Sequence, residues 1–156
     1  MRYASINFND ITAAPGLCVT VFLQGCPHHC PGCHNPTTWD FNGGEEFTAE
    51  TMTAIIEGLN AQNIQRNLCI MGGEPLCSEN EFLTLLVIKT VKEKLPNTPI
   101  YIWTGYTLEE LREICNPHMD YILENIDYLI DGRYEEELRD ITLPLRGSSN
   151  QRIHKF

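Results

Sequence analysis

The chain has 156 residues, 42% of them hydrophobic, which suits one globular domain spanning residues 1–156. Its formal net charge is −10 and it has no cluster of Lys and Arg, which argues against a nucleic-acid-binding protein. No apolar run is long enough to span a membrane, and the N-terminus lacks the apolar core of a signal peptide, so we expect a cytoplasmic protein without membrane attachment.

Four short apolar runs, each ending in a glycine-containing loop, are typical of buried parallel strands. They are LCVTVFLQG (17–25), NLCIMGGEP (67–75), PIYIWTGY (99–106) and IDYLIDGRY (126–134). Helical patterns lie between them, at 48–63, 78–95 and 107–115. The alternation predicts an α/β fold with a parallel sheet.

Two of the predicted helices begin with the spacing of a capping box, in which two side chains each accept a hydrogen bond from the other residue's backbone N–H. The pairs are Ser78 with Glu81 and Thr107 with Glu110. We therefore expect both helices to begin directly after the first residue of each pair.

The unusual polar sequences follow the predicted strands, at the edge where parallel-sheet folds place their sites. A closed eight-unit barrel needs roughly 200 residues or more. We therefore predict a partial, open (β/α) barrel with parallel strands, in which one side of the site stays uncovered and accessible to a large partner.

The loop after the first predicted strand, GCPHHCPGCHN (25–35), places Cys26, Cys30 and Cys33 within eight positions. Its two prolines predict a loop rather than a helix. The chain has seven cysteines, an odd number that argues against a closed disulfide framework. Clustered cysteines without a secretory signal indicate metal or redox chemistry instead.

The residues alone leave three interpretations of this loop open. A structural zinc site needs four ligands, usually in two separated pairs, and no second pair is present. An electron carrier would hold its iron–sulfur cluster with four cysteines, the fourth being Cys77, although the spacing is not that of a ferredoxin. A [4Fe–4S] cluster held by three cysteines would leave one iron open to a substrate or cofactor. We favour the third once the rest of the chain is considered.

The histidines of the loop and the cysteines outside it have simpler interpretations. We expect His28 and His29 to lie on the loop surface. We expect the scattered cysteines to be small buried hydrophobic residues; they are Cys18, Cys69, Cys77 and Cys115.

The spacing of Cys26, Cys30 and Cys33 resembles the signature of radical S-adenosylmethionine (SAM) enzymes, in which the open iron of a [4Fe–4S] cluster binds SAM. Some forty residues later, MGGEP (71–75) resembles the GGE motif of that family. Its glycines permit a close approach of the backbone, and its carbonyls and carboxylate accept hydrogen bonds from an amino group. The chain departs from the family at Gly32, where an aromatic residue is common.

Two later segments, WTGY (103–106) and RGSSNQR (146–152), resemble the small activases of anaerobic (class III) ribonucleotide reductases. The resemblance extends from about residue 15 to residue 152. It implies a radical SAM barrel and the formation of a 5′-deoxyadenosyl radical. That radical would abstract hydrogen from a glycine of the large reductase subunit.

The resemblance also implies two partners, and two alternatives to it stay open. The partners are the large reductase subunit, which carries the glycyl radical, and a small electron-donor protein such as a flavodoxin. One alternative is an activase of another glycyl-radical enzyme. The other is a non-enzymatic module, either a zinc site or an iron–sulfur electron carrier. For RGSSNQR, contact with SAM, contact with the partner and a plain polar tail all stay open.

Roles for individual residues follow from the same resemblance. The cluster ligands, catalytic through the cluster they hold, are Cys26, Cys30 and Cys33. The backbone contacts to adenosine are expected from Gly32, Cys33 and His34. The methionine amino group is expected to meet Gly72, Gly73 and Glu74, with Pro75 fixing the turn. Contacts to the ribose or the carboxylate are expected from Thr104 and Asp131.

Overall fold

A computed structural model describes all residues, 1–156, and contains seven strands. The strands are β1 (Arg2–Asp10), β2 (Cys18–Leu23), β3 (Glu45–Glu46), β4 (Asn67–Gly72), β5 (Ile100–Trp103), β6 (Tyr128–Asp131) and β7 (Arg152–Lys155). They form one open sheet in the order β3-β1-β2-β4-β5-β6-β7. The four central strands, β2, β4, β5 and β6, are parallel, whereas β1 and β7 pair antiparallel at the two sides.

The four helices are α1 (Ala49–Leu59), α2 (Glu81–Lys94), α3 (Leu108–Glu113) and α4 (Pro117–Asn125). The α/β class, the four parallel strands and the first three helices confirm the sequence predictions. Each parallel strand ends at or just before its glycine-containing turn. The sequence did not predict β1, β3, β7 or α4. None of the helices is long and apolar enough to cross a membrane.

The two predicted capping boxes have different outcomes. Thr107 and Glu110 exchange hydrogen bonds with each other's backbone at the start of α3, which confirms that box. The box at Ser78 is wrong, because Asn80 is the residue before α2 and Ser78 Oγ instead donates to the Glu79 carboxylate. The Asn80 side chain does not cap the helix either, because its amide binds the backbone of the cysteine loop.

The main core lies between one face of the sheet and the helices. Alternate residues of the parallel strands point into it, among them Val21, Ile70 and Ile102. The opposite face carries a smaller cluster that includes Cys69 and Tyr101, against which loop residues rather than helices pack. The sheet is therefore layered with helices on one face only.

Three of the four scattered cysteines are buried, as predicted: Cys18, Cys69 and Cys77. The prediction is wrong for Cys115, which is exposed. This residue follows α3 with a positive φ of 49°, in a turn that points its side chain away from the core.

Candidate metal centre and cofactor cavity

The loops that follow the four parallel strands meet at one edge of the sheet, because the strands run in the same direction. These loops are the cysteine loop (25–35) and the segments 73–75, 104–106 and 132–134. Side-chain and backbone hydrogen bonds connect all four segments. The sequence predictions for the site therefore converge on one region.

The three clustered cysteines are free thiols, each partly exposed. The Cys33 amide donates to the Cys30 carbonyl at 3.1 Å, which closes a tight turn in which Gly32 has a φ of 73°. The Asn35 amide donates to Cys33 Sγ at 3.4 Å. Hydrogen bonds from N–H groups to sulfur are among the features that tune iron–sulfur clusters.

Burial raises the pKa of Cys26 to about 11 and raises the pKa of Cys30 in the same direction. Burial therefore favours the protonated thiol at both positions in the metal-free chain. No three His, Cys, Asp or Glu side chains lie together in an arrangement that fits a single metal ion. The donors of the loop are three soft thiols, the ligand type of iron–sulfur clusters.

Backbone hydrogen bonds join the start of the cysteine loop to the GGE segment, residues 72–74. The Gly73 amide donates to the Leu23 carbonyl, and the Glu74 amide donates to the Gly25 carbonyl, both at 2.8 Å. A Cβ on Gly73 would overlap the Gly25 carbonyl, and one on Gly72 would lie 2.9 Å from the Leu23 amide. Gly72 therefore permits the close approach of β4 to β2, and Gly73 permits the close approach of the GGE turn to the cysteine loop.

Asn80 strengthens the same junction, and the sequence analysis did not identify it. Its buried Nδ2 lies 3.0–3.1 Å from the carbonyls of Gln24, Gly25 and Glu74. An Asn at the start of a helix is the usual sign of an N-cap, so no pattern pointed to this contact. The residue joins the first turn of α2 to the loop that carries the cysteines.

The Glu74 carboxylate is 1% exposed and has a full set of partners. Oε1 accepts from the Leu76 amide at 2.9 Å and from Thr104 Oγ1 at 2.7 Å. Oε2 accepts from the Gly105 amide at 2.7 Å and lies 2.8 Å from His28 Nε2. A carboxylate has about four acceptor positions, and all of them are occupied by the protein.

The prediction that His28 lies on the loop surface is wrong, because its side chain is only 5% exposed. The ring is directed inward by its contact with Glu74 and by an edge-on contact with Tyr106, at 4.7 Å between centroids. His29 is exposed, as predicted, and its ring lies 4.8 Å from that of Trp39. Of these two neighbouring histidines, the side chain of His28 is therefore buried and His29 is exposed.

Thr104 and Asp131 both lie at strand ends, and both side chains contact protein groups. Thr104 Oγ1 donates to Glu74. Asp131 is fully buried and accepts from the Leu108 amide at 2.8 Å and from Arg152. Their predicted contacts with SAM stay predictions.

A cavity of about 400 Å³ opens beside the third cysteine. It is lined in part by Cys33, His34, Gly72, Trp103, Arg146 and Gln151. Three of these are predicted cofactor contacts, and two belong to the RGSSNQR segment. Another cavity of similar volume lies at the opposite edge of the sheet, away from the cysteine loop.

The fourth residue considered as a possible ligand, Cys77, is buried below the GGE turn. Its thiol donates to the Glu74 carbonyl at 3.2 Å, and burial raises its pKa to about 12. This cysteine therefore has a structural partner of its own.

Comparison with known proteins identifies the family of this chain. Residues 13–154 match the family described as a 4Fe-4S single cluster domain. The chain is 39% identical to the anaerobic ribonucleoside-triphosphate reductase-activating protein of Salmonella typhimurium over 99% of this chain and 98% of the relative. It is 38% identical to the protein of the same name from Escherichia coli K12, with the same coverage.

A viral relative of the same name, from Enterobacteria phage T4, is 35% identical over 98% of this chain and 93% of its own length. The identity is distributed over whole chains rather than over the cysteine loop alone. The cysteine loop, the GGE junction and these full-length matches together assign the chain to the family of anaerobic ribonucleoside-triphosphate reductase-activating proteins with a 4Fe-4S single cluster domain.

Proposed function

We propose that this protein activates an anaerobic ribonucleoside-triphosphate reductase by forming a glycyl radical on its large subunit, with one [4Fe–4S] cluster and SAM as cofactors. The observation that carries the proposal is the position of the cavity. It begins at Cys33, the third thiol of the loop, and continues to Gly72 at the end of β4. A cofactor in this cavity would lie directly beside a cluster held by the cysteines.

The residues present fit both cofactors. Three thiols in one loop match the ligand type of an iron–sulfur cluster and leave one iron without a protein ligand. The cavity volume of about 400 Å³ falls within the range of small-molecule sites. Its walls combine aromatic side chains with polar and charged ones, as a nucleoside joined to an amino acid requires.

The roles of the residues follow from these positions. Cys26, Cys30 and Cys33 hold the cluster. The backbone of Cys33 and His34, which line the cavity, and of Gly32 beside them would contact the adenosine. When bound, the cluster and SAM supply the one-electron chemistry that removes a hydrogen atom from a glycine of the target.

The GGE segment contributes through its backbone. The proposed contacts to the methionine amino group come from the Gly72 and Gly73 carbonyls, with Pro75 fixing the turn. The Glu74 carboxylate is already filled by protein donors. We therefore assign Glu74 the support of the loops around the cofactor rather than direct contact with it. The contacts of Thr104 and Asp131 with the ribose or the carboxylate remain part of the proposal.

The fold is consistent with a single domain built as an open barrel of the radical SAM type. Four parallel strands with helices on one face and a site at their carboxyl edge support this assignment. The open sides leave room for the reductase subunit to bring its glycine to the cavity. In the cytoplasm, a small electron-donor protein such as a flavodoxin would supply the electron.

SAM cleavage tests this proposal against the electron-carrier and zinc alternatives. The protein is reconstituted anaerobically with iron and sulfide, reduced, and assayed for methionine and 5′-deoxyadenosine with the reductase subunit present. We expect both products from the wild type and neither from Cys26→Ala. A stable cluster without products, even with the reductase subunit, would favour an electron carrier, and one zinc per chain without iron would favour a structural site.

A further inference from the structure

His28 lies in the cysteine loop and contacts the three other loops at the carboxyl edge of the sheet. It belongs to the loop after β2 and reaches Glu74 after β4 at 2.8 Å. Its ring packs on Tyr106 after β5 and receives a hydrogen bond from Arg133 after β6. A single side chain therefore connects the loop of the cysteines to every other loop of the site.

The donors and acceptors around the ring define its hydrogen-bonding state. Arg133 Nε, which can only donate, lies 3.2 Å from His28 Nδ1, so Nδ1 accepts. Nε2 then carries the proton and donates to Glu74 Oε2. Both nitrogen atoms of the ring therefore have a partner in this arrangement.

The packing around the ring leaves little freedom. A Cβ added at Gly105 would lie 2.5 Å from the imidazole, so only glycine at this position accommodates the ring. Glu74, on the other side, is held by three further donors besides His28. The ring therefore binds a carboxylate that is itself fixed.

We propose that His28 and Glu74 form a clamp, the His28–Glu74 clamp, which positions Cys26 and Cys30 for cluster binding. His28 lies between these two cysteines in the sequence, so the clamp fixes the middle of the segment that joins them. The inference rests on the proposed function only in taking the cysteines as cluster ligands. His28 is a positioning residue, because it acts through the loop.

The test uses the full chain without iron, so that it does not depend on SAM chemistry. Alkylation by iodoacetamide is followed by mass spectrometry at Cys26, with exposed Cys115 as the internal reference. His28→Asn removes the contact with Glu74, because the shorter side chain does not reach it. His29→Asn is the matched control, since His29 is exposed and Asn tolerates its positive φ of 48°.

We expect His28→Asn to raise the Cys26 alkylation rate about ten-fold relative to Cys115, as expected for the loss of roughly one net hydrogen bond. His29→Asn should leave the ratio unchanged. His28→Gln, whose amide nitrogen reaches the position of Nε2, should restore most of the protection. After reconstitution, His28→Asn should also alter the electron paramagnetic resonance line shape of the reduced cluster, and His28→Gln should recover it.

An unchanged Cys26 rate in folded His28→Asn overturns the proposal. If His28→Asn does not fold, His28→Gln decides: a folded protein with protected Cys26 supports the clamp, and one with exposed Cys26 overturns it. Failure of the proposed function is a separate result. Wild-type protein that protects Cys26 but forms no glycyl radical would contradict the activase role and leave the clamp intact.

Discussion

Arg152, the first residue of β7, binds both carboxylate oxygens of Asp131, the last residue of β6. Arg152 Nε lies 3.1 Å from Asp131 Oδ1, and Nη2 lies 2.5 Å from Oδ2. Arg152 also reaches Glu109 on α3, at 2.6 Å. Part of the RGSSNQR segment therefore joins the last strand to the sheet and to a helix.

Replacing Arg152 with Ala should lower the free energy of unfolding by about 2–3 kcal/mol, because it leaves the buried Asp131 carboxylate without its charged partner. Urea unfolding followed by circular dichroism measures this difference. Arg139→Ala, at an exposed position, is the control and should change stability little. Equal stability of wild type and Arg152→Ala would contradict the structural role of the ion pair.

The same pair predicts how stability depends on pH. Burial alone would raise the pKa of Asp131, but the hydrogen bonds from Arg152, the Leu108 amide and His154 together hold it below its usual value. A lowered pKa in the folded state stabilises the protein above the unfolded pKa of about 4 and ceases to do so as the pH falls through the folded value. The difference between wild type and Arg152→Ala should therefore be full at pH 6 and shrink below about pH 4. A difference that grew in acid would have the wrong sign.

Cys30→Ala should abolish cluster binding, because two thiols of a three-ligand site remain. Iron and sulfide per chain after anaerobic reconstitution, together with visible absorbance, measure the loss. SAM cleavage should disappear with the cluster. Full activity with a normal cluster in this variant would remove Cys30 from the ligand set.

Cys77→Ser should retain the cluster. The Ser hydroxyl can replace the thiol as the donor to the Glu74 carbonyl, so the GGE turn should keep its shape. Iron content per chain should match the wild type. Loss of the cluster with the fold intact would instead support a four-cysteine electron carrier.

Asn80→Ala should destabilise the protein by roughly 3 kcal/mol, because three buried carbonyls share this one amide donor. Urea unfolding measures the change, and hydrogen exchange should show faster opening of the cysteine loop. Asn97→Ala, in the turn before β5, serves as the control. Unaltered exchange in the cysteine loop would mean that Asn80 does not hold this junction.

The sequence predicts the parallel core of the fold because each of those strands is an apolar run with a turn at its end. Strand β7 lacks this signal: Arg152–Lys155 is short and mostly exposed, and its pairing with β6 is a long-range contact. Strand β1 does carry a local signal, because Ala4, Ile6 and Phe8 alternate with exposed Ser5, Asn7 and Asn9, but the sequence prediction did not use it.

The candidate site likewise contains some features that the sequence predicts and others that it does not. The cysteine spacing and the GGE motif are local patterns and were recognised. The burial of His28 and the three contacts of Asn80 depend on residues between 6 and 105 positions away, which no local pattern encodes. The side-chain contacts of Glu74 likewise depend on three loops that are distant in the sequence.

The most direct test of the activase role is electron paramagnetic resonance of the reductase subunit after incubation with the reconstituted protein, SAM and a reductant. The account predicts a glycyl radical signal that disappears when the target glycine is replaced by Ala or when Cys26→Ala is used as activase. SAM cleavage with wild-type protein and reductase but without any radical on the reductase subunit would contradict it.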